Sequence, residues 1–264
     1  MSTNGNINSL FAGAQAGGTL TAAAAQAVGA IPDLGAQIQA GLGVAPDDVM
    51  ASEVTLVTIL LDDSGSMSSN RDVAIQGHNE VLDALLKTKQ KDGILICCRL
   101  LNVGTLYPYT PVDKAPRLSH ANYNPGGGTP LYDETAVTLA TVVAKAQEFA
   151  DAGVPCRTVT LIVTDGADGS VRLRSPKKVA PIIESLLKAE MHIIAGMGID
   201  DGYTPFKKVF GDMGIPANWI LTPGNSPSEI RKAFAFASQS AVRASQAAGG
   251  GGFSQVAAGG FGAP

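Results

Sequence analysis

The run Leu60-Leu61-Asp62-Asp63-Ser64-Gly65-Ser66-Met67-Ser68 places acid and hydroxyl side chains directly behind an apolar stretch, Val54 to Leu61. That stretch reads as a strand buried on both faces. In an extended segment alternate residues point the same way, so Asp62, Ser64 and Ser66 can aim three oxygens at one point just beyond the strand. Such a cluster suits a hard cation. It contains no thiolate or imidazole, which disfavours zinc and copper and favours Mg2+, Mn2+ or Ca2+.

A second apolar run, Arg157 to Thr164, also ends abruptly in an acid, Asp165-Gly166. In a parallel sheet all strand C-termini lie along one edge, where open α/β folds bind their ligands, and this makes Asp62 and Asp165 neighbours. Between them in sequence lies Pro125-Gly126-Gly127-Gly128-Thr129-Pro130. Its glycines let the backbone come close, and Thr129 offers one more hydroxyl.

The order Asp-x-Ser-x-Ser, loop threonine, strand-terminal aspartate resembles the metal-ion-dependent adhesion site of von Willebrand factor type A (vWA) domains. All five positions are filled, by Asp62, Ser64, Ser66, Thr129 and Asp165, and the resemblance covers roughly residues 53 to 240. The run Thr129-Pro130-Leu131-Tyr132-Asp133 is similar to the bacterial and cytoplasmic branch of the family. The resemblance implies a Rossmann-like fold in which Ser64, Ser66 and sometimes Thr129 bind magnesium directly, while Asp62 and Asp165 act largely through water. An ion held by neutral hydroxyls keeps much of its charge, and an open coordination position then attracts a carboxylate of a partner protein. Relatives of this kind often work beside AAA-type ATPases or inside larger assemblies.

A different class of function shares part of the pattern. Asp165-Gly166-Ala167-Asp168 resembles the last acidic motif of magnesium-dependent phosphohydrolases of the haloacid dehalogenase type. That chemistry wants a second aspartate two positions after the nucleophile, where this chain has Ser64. Nucleotide binding fits less well: Gly126-Gly127-Gly128-Thr129 lacks a P-loop lysine, and Gly196-Met197-Gly198 lacks the third glycine.

The elements that must position these residues follow from periodicity. A helix is predicted from Arg71 to Gln90 after a Ser69-Asn70 cap, then a buried strand from Ile94 to Leu101. A more polar strand over Thr105 to Val112, broken by Pro108 and Pro111, suits an edge, and the resemblance makes it antiparallel. A helix over 131–151 precedes the strand leading to Asp165; further strands are predicted at His192 to Ile199 and Trp219 to Leu221. Ser175-Pro176, Thr204-Pro205 and Ser226-Pro227 each read as a hydroxyl cap with proline at the first helical position. The fold class is therefore α/β: a doubly wound, mostly parallel central sheet with one antiparallel edge strand and helices on both faces.

Several polar residues have plainer roles. Thr129 is also placed to cap the helix after Pro130, and Asp133 to stabilise that helix's dipole. Asp63 and Asp168 read as solvated rim acids, His78 as a core histidine, and His120 as the one histidine able to approach the metal edge.

With 264 residues the chain suits one substantial domain, at 51–243, between an Ala/Gly-rich N-terminal extension, 1–50, and a Gly/Ala-rich tail, 244–264, both expected to be weakly ordered. A formal net charge of −4, without a run of adjacent Lys or Arg longer than a pair, argues against partners such as nucleic acid or a membrane. The stretch Leu20 to Ile31 is short, alanine-rich and preceded by no basic residue, so neither a secretory signal nor a membrane span is expected. Three cysteines, two of them adjacent at Cys97 and Cys98, suit a reducing, cytoplasmic setting.

Overall fold

A computed structural model describes residues 3–29, 31–247 and 253–262. In chain order the elements are α1 (Thr3–Ala16), α2 (Ala22–Gly29), α3 (Leu34–Leu42), β1 (Val54–Leu61), α4 (Arg71–Leu86), β2 (Ile94–Leu100), β3 (Gly104–Pro111) and α5 (Leu131–Asp151). They continue with β4 (Cys156–Thr164), α6 (Pro176–Lys188), β5 (His192–Gly198), α7 (Phe206–Asp212), β6 (Ile220–Leu221), α8 (Pro227–Ala247) and α9 (Phe253–Gly259).

The six strands form one sheet in the order β3-β2-β1-β4-β5-β6. All neighbouring pairs are parallel except β2 with β3, so the antiparallel edge strand is where the sequence places it. β1, β2 and β5 are buried along their whole length, as continuous apolar runs in a sheet covered on both sides must be. The chain leaves β1 to one side, to β2, and later leaves β4 to the other, to β5. Right-handed crossovers therefore put α4 and α6 on opposite faces. α8 packs on α4, and α5 on β1 and β4.

Register fixes the functional edge. Leu61 pairs with Val163 and with Leu100, and Thr164 with Gly198, so the chain exits these four strands at one level. Packing beneath that edge is close. His78 on α4 is fully buried with Nε2 2.7 Å from the Tyr107 hydroxyl on β3, and burial pushes its imidazole down to about 4, which fits the expected core role.

Composition predicts weakly ordered flanks; within the described residues both are instead helical and packed. α1 and α3 lie on α5, and α2 lies on α6. They bury Ile7, Leu10, Ala14, Leu20, Ala24, Val28, Ile31, Ile38 and Leu42. No one of these helices has a broad apolar face, but small residues permit near contact: a Cβ added at Gly41 would lie 2.6 Å from Thr141 Cγ2. Polar clasps fix the layer. Ser185 Oγ on α6 accepts the Thr21 amide and donates to the Thr19 carbonyl, both at 2.9 Å. Arg99 on β2 donates to Gln37 of α3 at 2.6 Å and to Glu134 of α5 at 2.8 Å. After α3, Gly43 adopts φ 62° with its Cα pressed on Tyr109, where any side chain would overlap the Tyr109 carbonyl.

At the other end α8 runs to Ala247, past the expected boundary at 243, and α9 returns to the sheet. Phe253 and Phe261 are buried there, contributing roughly 1.5–3 kcal/mol each. Phe261 packs edge-on against Trp219 with ring centroids 5.0 Å apart, and the Trp219 indole donates to the Ala257 carbonyl at 2.6 Å. The expectations for residues 1–2, 30, 248–252 and 263–264 lie outside the described residues.

Candidate functional site

Asp62 follows β1 and is fully buried. Its amide continues the ladder to the Val163 carbonyl, one carboxylate oxygen accepts the Ser64 amide at 2.7 Å, and the other accepts the Thr164 hydroxyl at 2.6 Å. Asp62 thus ties the ends of β1 and β4 together. Ser64 Oγ lies 3.0 Å from Ser66 Oγ, which donates to Asp165 Oδ1 at 2.5 Å; Asp165 Oδ2 accepts from the Asn70 side chain, Nδ2, at 3.1 Å.

Thr129 is half-buried on the loop between β3 and α5. It does not cap α5, whose cap position is Pro130 and which has no side-chain cap. A Cβ added at Gly166 would instead meet Thr129 Oγ1 at 3.0 Å and Ser66 Oγ at 3.5 Å. The five expected residues therefore come together: Ser64, Ser66, Asp165 and Thr129 gather around Gly166, whose lack of a side chain lets Thr129 and Ser66 approach, and Asp62 bonds the Ser64 amide from behind.

The donor set is entirely oxygen, as a hard cation requires. Among the described residues no group of three or more His, Cys, Asp or Glu side chains could hold a metal ion, so any ion here depends on the hydroxyls. Burial pushes the carboxyl of Asp62 above its ordinary range, against hydrogen bonds from Thr164 and Ser64. Burial also raises Asp165, opposed by Ser66 and Asn70 and reinforced by the charge of Asp201. Neither acid is in an ion pair among the described residues. Two buried carboxyls without a countercharge are the electrostatic setting that a bound cation would relieve. The residues present fit a divalent ion.

The glycine loop is held by residues that the sequence reading misplaced. Asp63 is 2% exposed, so it is not a solvated rim acid. Its carboxylate accepts the Asn102 amide and side chain at 2.7 and 2.9 Å, while Asn102 also donates to the Gly128 carbonyl. Gly127, at φ 85°, turns the loop so that its carbonyl accepts the Gly65 amide at 3.2 Å. Arg71 pins the preceding stretch through the Tyr123 and His120 carbonyls, and the Tyr123 hydroxyl donates to the Asp62 carbonyl at 2.5 Å. His120 itself faces Asp72, 2.9 Å away, rather than the residues gathered around Gly166.

Asp168 is half-buried, accepting from the Ser170 hydroxyl at 2.5 Å and the Tyr132 amide at 3.1 Å, so it is structural rather than solvated. Asp133 is 2% exposed and does more than favour a helix dipole. It accepts the consecutive amides of Val171, Arg172 and Leu173 at 3.2, 3.2 and 2.7 Å. Asn70 and Thr164 were the functional-edge residues least visible beforehand. Asn70 reads as a helix cap, yet it makes no cap bond and serves Asp165; Thr164 carried only its position one residue before Asp165.

No protein-family model matches the chain, and no curated protein is detectably similar. Solved structures do share its fold. Over 72% of this chain and 30% of the other, it superposes on the pilus adhesin SpaC from Lactobacillus rhamnosus GG in its open conformation, with a TM-score of 0.54 at 12% identity. A von Willebrand factor type A protein from Catenulispora acidiphila aligns over 72% of this chain and 43% of its own, with a TM-score of 0.48 and 17% identity. Manganese-loaded TRAP protein from Plasmodium vivax aligns over 70% and 74%, with a TM-score of 0.45 and 16% identity. The chain thus spans less than half the length of the first two.

Proposed function

We propose that this chain is a vWA-type interaction module: it holds a divalent cation at the C-terminal edge of its sheet and captures an acidic residue of a partner protein there. The observation that carries this reading is the gathering of Ser64, Ser66, Thr129 and Asp165 around Gly166, with Asp62 buried behind. When bound, the ion supplies a positive centre with a position open to a carboxylate. Ser64, Ser66 and Thr129 face it as neutral oxygens; Asp62 and Asp165 balance its charge from behind. Mg2+ is the expected ion, and Mn2+ or Ca2+ suit the same oxygens.

The module acts by binding and carries out no reaction. The phosphohydrolase alternative is not favoured: the place of its acid/base carboxylate is held by Ser64, whose hydroxyl lies against Ser66. A cytoplasmic setting accords with three free cysteines, and an AAA-type ATPase or a larger assembly is the expected kind of partner. Among the described residues no helix is long and apolar enough to cross a membrane.

The test is calorimetric titration of Mg2+ into the wild-type protein, Ser64→Ala and Asp165→Asn, with circular dichroism to confirm that each is folded. Wild type should bind and both variants should lose binding. Full magnesium affinity in Asp165→Asn would overturn the assignment. Partners recovered from lysate equally well in magnesium and in EDTA would overturn metal-dependent capture.

A further inference from the structure

The loop after β4 carries Arg172, Arg174, Lys177 and Lys178 with no acid among them, in a chain whose formal net charge is −4. All four side chains are exposed, and among the described residues none is in an ion pair. Four cations elsewhere in the chain do pair with local acids: Arg99 with Glu134, Arg117 with Asp83, Lys145 with Glu148 and Lys208 with Asp212.

The strip is built onto the metal edge. The Gly169 amide donates to the Thr129 carbonyl at 2.7 Å, and Ser170 Oγ accepts the Tyr132 and Asp133 amides at 3.0 and 3.1 Å. Asp133 then grips the amides of 171–173, which turns Leu173 inward, 2% exposed, and leaves Arg172 and Arg174 outside. Val171 lies two residues beyond Gly169, so its Cα is within about 7 Å of a residue bonded to Thr129.

Lys177 and Lys178 continue the strip into the first turn of α6, directly after Pro176. Cations at a helix N-terminus oppose its dipole, and α6 has no acid in that turn. Four unpaired like charges in seven residues cost stability through mutual repulsion as well. Asp133, which grips the backbone of 171–173, and Glu134, whose charge reaches Arg172, offset only part of this, and a bound polyanion would offset more.

Resting on the proposed metal site, we infer that the partner presents an acidic stretch rather than a lone acid: one carboxylate meets the ion, and those that follow run over Arg172, Arg174, Lys177 and Lys178. The strip sets the direction of the partner chain and adds salt-sensitive affinity.

The probe is a fluorescein-labelled peptide of alternating Glu and Ser, with its Gln-for-Glu counterpart as control, titrated in magnesium and in EDTA at low and high salt. The receptor variant replaces all four cations by Gln; all are exposed, so folding is not at stake. The acidic peptide should bind wild type only with magnesium and bind the variant at least about tenfold more weakly at low salt. Magnesium affinity by calorimetry should be equal in the two proteins. If both bind magnesium and the peptide equally well, the strip has no role and the inference falls while the metal site stands. Absence of magnesium binding in wild type overturns the metal site itself, and with it the inference. Failure of the acidic peptide to bind, binding equal in magnesium and EDTA, or tighter binding of single-stranded DNA than of the peptide would each overturn the inference.

Discussion

A carboxylate that accepts three consecutive backbone amides fixes a stretch of chain as firmly as a turn of helix does, and Asp133 does this for residues 171–173. Removing it leaves three amides without their acceptor at a buried position, and such bonds to a charged group count for more than neutral ones. Asp133→Ala should lower unfolding stability by about 2–4 kcal/mol, and Asp133→Asn by less, read from urea denaturation. Amide exchange at 171–173 should accelerate in both. An unchanged exchange rate would mean that the loop is held by other contacts. Such roles were hidden in the sequence because the partners are far apart along it: Thr164 lies 102 positions from Asp62, and Asn70 lies 95 from Asp165. Asp62 and Asp165 stood out because each directly follows a buried strand, and Ser64 and Ser66 because they repeat at every second position behind Asp62. The acids of the rim were misread for the converse reason: nothing in the residues around Asp63 announces Asn102 as its partner.

Strands and helices were more legible than their caps. Continuous burial gave β1, β2, β4 and β5 nearly to their ends, and two prolines marked β3 as an edge. Hydroxyl caps fared worse. Ser175 makes no side-chain cap bond, and Thr204 spends its hydroxyl on Asp201 at 2.5 Å; only Ser226 accepts its helix amide, from Glu229 at 3.3 Å. Which helices touch was beyond periodicity, and Gly77 shows why. It sits on the buried face of α4 against α8, where an added Cβ would lie 2.2 Å from Phe234 Cδ2. In an open helix Gly→Ala gains about 1 kcal/mol. Here Gly77→Ala should instead cost about 1–3 kcal/mol, since the fully buried Phe234 ring must move. Combining it with Phe234→Leu should recover part of that loss. A thermal melt in which Gly77→Ala is as stable as wild type would show that α4 and α8 adjust freely.

At the scale of the whole molecule, the sheet and its crossovers could be drawn from the sequence, whereas the outer layer could not. Alanine- and glycine-rich segments look unable to offset their ordering entropy when each is judged alone. Judged together, α1, α2 and α3 share their burial with α5 and α6, and the benefit of small residues is the closeness of the partner rather than their own apolar area. The C-terminal segment behaves alike: two phenylalanines spaced eight apart dock a stretch that is otherwise Gly, Ala and small polar residues. Its seat lies against Trp219, just before β6, where Ile220 pairs with Gly196 a few residues below the C-terminal edge of the sheet. Trp219 is the chain's single tryptophan. The protein thus contains its own optical gauge. Emission from the 2%-exposed indole should move to longer wavelength when residues 248–264 are deleted, and should stay put when magnesium is added to the intact chain. A magnesium-dependent shift would mean that the tail's seat and the metal edge communicate; a constant spectrum would let one cuvette follow the tail while a calorimeter follows the ion.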